Sequence, residues 1–366
     1  MNFGLSESQL LLKETAREFF SDQCPMAEVR RLMQTDTAYD PDLWAKLAEQ
    51  GYTGIIFPED FGGVGLGMVE LILLMEEAGR ALLPGPLAST VALAGSAIQI
   101  LALPEKKKKY LARICSGEAR STLAMQEAAA SWNLRDLQMS GGKGTLSGEK
   151  LFVPDAEVAD FIVVVARDGV FVADADAPGI TISPMKAMDL TRKLYTMRFD
   201  DTPAERIGSL AGLERALDFA ATALSAELVG SMQRTLDLTV EYAKTRKQFG
   251  APIGKFQVVQ HQCADMYLET ESARSAVYYA AWALQENTPD AAVAASIAKM
   301  YASDAGRTVG NRSIQVHGGM GFTWENDLHL YYRRAKASET ALGDSTYHRE
   351  RIARLVIDTG ALCQTP

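Results

Sequence analysis

Residues 242–260 read YAKTRKQFGAPIGKFQVVQ, and the architecture turns on how this stretch is read. A helical pattern runs into Arg246, breaks at Phe249-Gly250 and restarts near Lys255. An arginine just ahead of a glycine-containing break can offer a planar, bidentate fork to a pyrophosphate. A break of this kind also occurs in many folds as a simple turn. Upstream, residues 213–246 form a helical pattern without a proline; downstream, further patterns cover 255–285 and about 290–316. Long helices joined by short turns predict antiparallel packing as a four-helix bundle. Their Met, Leu and Ala stripes read as core or subunit interface.

A second stretch, QVHGGMGFTWENDLHLYYRRAKA (315–337), carries Gly318, Gly319 and Gly321, which let backbone approach a ligand closely. Gln315 is a neutral donor beside them. Ahead of the long helices the chain changes character. DFIVVVA and VFVADA flank Arg167-Asp168-Gly169 and predict a hairpin with an Asp-Gly turn, and GITIS and YTMRFDD read as further strands of a small barrel or sandwich. The first zone reads helical. Ser6 and Gln9 have capping-box spacing, Asp40-Pro41 opens a helix, and Gly51 closes it. FPEDFGGVGLG (57–67) lacks both a GxGxxG after a strand and a Gly-Lys-Ser/Thr, so it reads as a plain loop. The predicted class is α+β multidomain: a helical zone 1–120, a β-barrel zone 121–208 and a helical bundle 209–366.

At 366 residues, with 47% hydrophobic and 23% charged residues, the chain can bury a large core. A net charge of −9 argues against nucleic-acid binding. Its one basic run, Lys106 to Lys109, reads as a solvated helix face. The four cysteines form no CxxC pair, which suggests reduced thiols and no metal centre. The N-terminus lacks a basic region ahead of an apolar run, and no stretch is long and apolar enough to span a bilayer. A cytoplasmic protein is predicted.

The zone order, RKQFG and QVHGGMGF together resemble the acyl-CoA dehydrogenase family of flavoproteins, essentially end to end. FPEDFGGVGLG is similar to that family's N-terminal loop, and GEKLFVPDAEVADFIVVVA (148–166) to its barrel strand beside the flavin. The resemblance implies a helical N-terminal domain, a middle β-barrel and a C-terminal four-helix bundle, with FAD at a subunit interface. It implies α,β-desaturation of an acyl-CoA thioester, with an electron-transfer flavoprotein as acceptor. Carried over by residue, Arg246, Phe249 and Gln257 would hold the pyrophosphate and adenine end of FAD. Gln315, Gly318 and Gly319 would serve FAD bound mainly by a neighbouring subunit. Gln126, Phe152 and Pro154 would line the isoalloxazine, Ser131 would meet the pantetheine arm, and Asp344 would face the FAD ribose.

Desaturation needs a carboxylate to take the α-proton. The resemblance implies two known seats for it, and they hold Leu342 and Ala220. Nearby departures include Ala221 for an arginine, Arg333-Arg334 for Arg-Asp, and QEAAAS (126–131) for Thr-Glu-Pro-Gly-x-Gly-Ser. Asp344 is a weak candidate base; His348 reads as a partly exposed structural residue, and Glu339 as pointing elsewhere. Three readings stay open: a self-sufficient dehydrogenase for an unusual acyl-CoA such as a steroid thioester, a subunit whose Glu-bearing paralogue supplies the base, and a lyase on the same fold. A non-enzymatic thioester- or flavin-binding role is an outlier. The assembly, homomeric or heteromeric, is left open.

Overall fold

The computed structural model describes residues 4–142 and 144–358. Among the described residues six α-helices come first: α1 (Glu7–Gln23), α2 (Met26–Leu32), α3 (Pro41–Glu49), α4 (Met68–Arg80), α5 (Ser96–Leu101) and α6 (Pro104–Cys115). The predicted start signals operate as read. Ser6 Oγ accepts from Gln9 N while Gln9 Oε1 accepts from Ser6 N, and Asp40 caps α3 at Asp42 N and Leu43 N. The 57–67 loop is folded on itself, with Gly65 N donating to Phe57 O and Leu66 N to Ile55 O.

Seven strands follow: β1 (Ser121–Ala124), β2 (Thr145–Pro154), β3 (Phe161–Ala166), β4 (Gly169–Asp174), β5 (Ile180–Met185), β6 (Leu194–Pro203) and β7 (Glu205–Gly208). They make a four-stranded sheet ordered β1-β3-β4-β7 and a three-stranded sheet ordered β2-β6-β5. β1 and β3 are parallel; every other pairing in the two sheets is antiparallel. The β3–β4 hairpin pairs Ala166 with Gly169, so its turn is Arg167-Asp168 and Gly169 already belongs to β4. Asp168 is held there by Gly141 N and Ser140 Oγ, which fixes the turn one residue earlier than predicted. Both sheets contribute to one core that includes Leu146, Val153, Ile162, Val164, Phe171, Tyr195 and Phe199. Lys106 and Lys109 of the basic run reach across to Glu205 on β7.

The remainder is helical: α7 (Leu213–Thr245), a minimal hairpin β8 (Lys247–Gln248) and β9 (Ala251–Pro252), then α8 (Gln257–Glu286), α9 (Ala291–His317), α10 (Leu328–Thr340) and α11 (Ser345–Ala353). The three long helices fall within two residues of the sequence reading.

The chain divides into two compact units. A helical unit takes residues up to Val29, then Ile72–Leu83, then the chain from Ala221 onward; a sheet-bearing unit takes Arg30–Leu71 and Pro84–Ala220. Within the helical unit, α4 and α7 touch backbone to backbone. A Cβ on Gly79 would lie 1.9 Å from Glu227 O, and one on Gly230 would lie 1.7 Å from Glu76 O. Glycine is required at both positions by this approach. Buried charges surround the crossing. Glu76 accepts from Lys13, Arg274 and Tyr278; burial works to raise its carboxyl, but the two cations outweigh that and hold it low. Cys24, Cys115 and Cys263 are free thiols, while Cys363 lies outside the described residues. No described helix is long and apolar enough to cross a membrane.

Candidate active site

The helical unit gathers one set of the expected residues. α7 ends at Thr245, and Arg246 N closes onto Tyr242 O while Ile253 N donates to Arg246 O, which ties the β8–β9 hairpin to the helix end. At the hairpin tip Phe249 takes φ 52° ahead of Gly250 and is 92% exposed, its ring edge-on to Phe256. An apolar ring so fully presented to solvent is informative in a way that a scattered surface leucine is not. Arg246 and Gln257 are exposed as well, and Arg246 has no carboxylate partner among the described residues.

Tyr242, one turn before Arg246, stacks on His317 at 4.2 Å between ring centroids, and its hydroxyl lies 3.5 Å from His317 O. Burial lowers the His317 imidazole below its usual range. This contact brings the end of α7 to the end of α9, where Gly318 turns the chain at φ 61°. A Cβ at Gly318 or Gly319 would meet nothing within 4 Å, so the turn borders open space. Gln315 is exposed on the turn of α9 just before it. Arg246, Phe249, Gln257, Gln315, Gly318 and Gly319 thus share solvent-facing positions around two joined chain turns. An unpaired guanidinium, an exposed ring and an open glycine turn suit a polyanionic, aromatic ligand such as a dinucleotide.

The turn after α10 carries the expected base position. Leu342 is 8% exposed and takes φ 60°, an uncommon conformation for leucine. Gly343 follows at φ 96°, and a Cβ there would lie 2.4 Å from the Tyr347 ring. Asp344 is exposed and its Oδ1 accepts from Tyr347 N, capping α11. Glu339 is consumed by Arg307 and Lys336, in accord with its reading as a group that points elsewhere. His348 departs from expectation: it is buried, because the turn folds over it, and its Nε2–H donates to Leu342 O at 2.9 Å. Burial, reinforced by the Lys299 charge, pushes its pKa down to about 4.

In the sheet-bearing unit, Gln126, Phe152 and Pro154 come together where β1 and β2 end. Leu151 N donates to Gln126 O, Phe152 takes φ 56° at a bulge in β2, and Thr122 Oγ1 donates to Pro154 O. Ser131 is occupied locally: its hydroxyl donates to Asp136 at 2.6 Å and accepts from Asn133 N. Ala130 takes φ 50°, a glycine-like conformation, in the loop where the family pattern has glycines. Ala220 is 2% exposed.

Sequence reasoning missed the group that builds this loop. Glu127 accepts from Gln138 N, Met139 N and the fully buried Lys150. Burial works to raise the Glu127 carboxyl, but Lys150 and the two backbone donors hold it low. Lys150 also donates to Met125 O and Val165 O, so it ties β1, β2 and β3 together. It also missed the buried ion pair of Arg334 with Glu227 in the helical unit. Arg334, a departure from the family's Arg-Asp pair, was the available signal.

Two family profiles match. Residues 211–357 match the acyl-CoA dehydrogenase C-terminal domain, and residues 6–118 the N-terminal domain. The chain belongs to the acyl-CoA dehydrogenase family. Among its relatives, acyl-CoA dehydrogenase IpdE2 of Mycolicibacterium smegmatis is 34% identical over 352 residues, covering 96% of this chain and 98% of that one. Among solved structures, the steroid ACAD Tcur3481-Tcur3483 superposes with a TM-score of 0.89 at 33% identity, covering 97% of this chain and 99% of that one. The ChsE4-ChsE5 complex of Mycobacterium tuberculosis superposes with a TM-score of 0.89 at 28% identity, over the full length of both chains. The chain is accordingly an oxidoreductase of acyl-CoA dehydrogenase architecture.

Proposed function

We propose that this chain is the FAD-site-sharing component of a heteromeric acyl-CoA dehydrogenase, in which a paralogous chain supplies the carboxylate that removes the α-proton. FAD, the family's cofactor, accepts the electron pair and β-hydrogen withdrawn from the acyl chain when it is bound. Leu342 is the single observation that carries the reading. The position expected to hold the base is a buried leucine, and the carboxylates beside it are committed, Asp344 to the α11 cap and Glu339 to two cations. The named complexes among the similar structures, Tcur3481-Tcur3483 and ChsE4-ChsE5, support a two-component assembly.

In this reading Arg246 pairs with the FAD pyrophosphate through its guanidinium fork, and Phe249 and Gln257 hold the adenine end. Gln315, Gly318 and Gly319 present backbone and amide to FAD seated mainly on the neighbouring subunit. Gln126, Phe152 and Pro154 line the flavin ring. Asp344, with one oxygen engaged by the cap, keeps the second for a ribose hydroxyl. Ser131 meets the pantetheine arm once its bond to Asp136 is exchanged. The zones 1–120, 121–208 and 209–366 are then the helical, flavin-ring and FAD-sharing parts, and an electron-transfer flavoprotein in the cytoplasm takes the electrons. A steroid-derived thioester is the substrate class that the similar structures favour.

The test is anaerobic flavin bleaching with acyl-CoA. Loss of a general base costs about 10²- to 10⁴-fold in rate, so the chain alone should bleach slowly or not at all. Co-expression with a paralogue bearing the C-terminal Glu-Gly-Thr should give a stable complex that bleaches quickly. Fast bleaching by a homo-oligomer of this chain alone would overturn the proposal in favour of a self-sufficient enzyme with another base.

A further inference from the structure

Lys299 lies in the first half of α9 and is among the largest fully buried side chains of the described residues. Its Nζ is 2.9 Å from Ser303 Oγ, 3.1 Å from Ser338 O, 3.2 Å from Glu339 O and 3.0 Å from Gly343 O. Ser338 and Glu339 belong to the last turn of α10, where carbonyls lack helical partners and the helix dipole is negative. Gly343 belongs to the turn that follows. One ammonium therefore caps a helix and grips the next turn at once. His348 grips the same turn through Leu342 O at 2.9 Å. Because a carbonyl only accepts, Nε2 carries the proton, which leaves Nδ1 bare; it has no partner among the described residues. Between these two holds, Leu342 and Gly343 keep left-handed backbone, a conformation that persists in leucine only where its surroundings over-determine it.

We infer that Lys299 is a positioning residue, acting with His348 as a two-point latch on the Leu342–Asp344 turn, and so sets where position 342 and Asp344 stand for the reaction. The latch is stated from the contacts themselves; its bearing on FAD rests on the function proposed above. Around Lys299 the charged and titratable groups are Glu339 on α10, Asp304 on α9, Asp344 in the turn, and His348 and Arg351 on α11. Burial is the largest influence on Lys299 and pushes its pKa down to about 7, with Glu339, Asp344 and Asp304 opposing. Exposure to solvent would return the amine to the ordinary lysine value of about 10.4, so above about pH 7 opening the turn takes up a proton and the latch becomes harder to open as pH rises. His348 stays neutral in the folded chain, and above about pH 7 it is largely neutral in the opened chain as well, so it cannot be the main group that responds between about pH 7 and pH 9.

Hydrogen exchange of the full-length protein in its purified assembly tests the latch. Corrected for intrinsic rates, protection of the 341–348 amides should rise about tenfold or more between roughly pH 7 and pH 9, while the centre of α8 stays protected throughout. Lys299→Met should abolish that pH response; if it fails to fold, Lys299→Arg, charged throughout, should abolish it instead. Protection that is the same at both pH values, or a response that survives in the folded variant, would overturn the inference. Flavin absorbance of the same samples separates the two claims. A colourless protein with a working response sinks the FAD reading of Asp344 alone, and a yellow protein without the response sinks the latch alone.

Discussion

Arg334 donates to the carboxylate of Glu227 in the interior of the helical unit, where their side chains are 1% and 3% exposed. Arg334 also reaches Leu83 O with both terminal nitrogens, so α10, α7 and the end of the α4 segment meet at one guanidinium. Removing one partner strands a buried charge, which costs about 3–5 kcal/mol, whereas removing both is often close to neutral. Arg334→Met should therefore lower the urea midpoint sharply, and Glu227→Gln with Arg334→Met should recover most of the loss. A double variant as unstable as the single one would show that the pair is not the relevant interaction.

Gly79→Ala and Gly230→Ala should each destabilise by about 1–3 kcal/mol or more, because the added methyl runs into a backbone carbonyl that cannot step aside. Gly306→Ala is the internal control. It lies within α9, and its Cβ would meet only Leu228 Cδ2 at 3.6 Å and Ala335 Cβ at 3.8 Å, ordinary contacts. There the usual helix preference for alanine should make the change neutral or mildly stabilising. Chemical denaturation of the three variants side by side reads the contrast.

His348 makes stability depend on pH. Its imidazole titrates at about 4 in the folded chain and near the ordinary value of about 6.5 when unfolded. As pH falls through that window the unfolded state binds the proton first. The contribution is thus complete above about pH 6.5 and is lost progressively toward pH 4. A denaturation midpoint followed from pH 7 to pH 4 should fall with a slope that His348→Gln reduces.

Arg246→Ala should weaken FAD retention by about ten- to a hundredfold, the scale of a lost charge-assisted contact. Because Arg246 is exposed and takes no carboxylate partner among the described residues, the variant should keep the wild-type melting temperature once flavin is removed from both. Flavin titration monitored by fluorescence, paired with apo-protein melting, separates a ligand contact from a folding defect.

Signals that act over a few residues were legible in the sequence. Ser6 with Gln9, Asp40 with Pro41, and the long proline-free helices were all placed within a turn of their observed positions. The two family signatures led to the residues around Tyr242 and Gly318, since those motifs are themselves contiguous. Contacts between distant segments were not legible. Parallel pairing of β1 with β3, the Glu227–Arg334 pair across 107 residues and the Lys299 grip on Gly343 across 44 depend on topology, which residue spacing does not encode. His348 was misjudged for the same reason: a histidine in a polar helix looks exposed until the preceding turn folds back onto it.

The helical unit is assembled from three separated stretches of chain, and this sets an order on its synthesis. Lys13 of α1 finds Tyr278 only after 265 further residues have been made. At about 5–20 residues per second, that interval is on the order of ten to fifty seconds. For its duration Ala16 and Phe20 have no bundle to enter, and the nascent chain offers a sticky apolar stripe to whatever holdase is near. Ribosomal pausing or truncation within α7 or α8 would leave that stripe uncovered, so incomplete chains of this protein should aggregate or be degraded rather than persist as a folded N-terminal fragment.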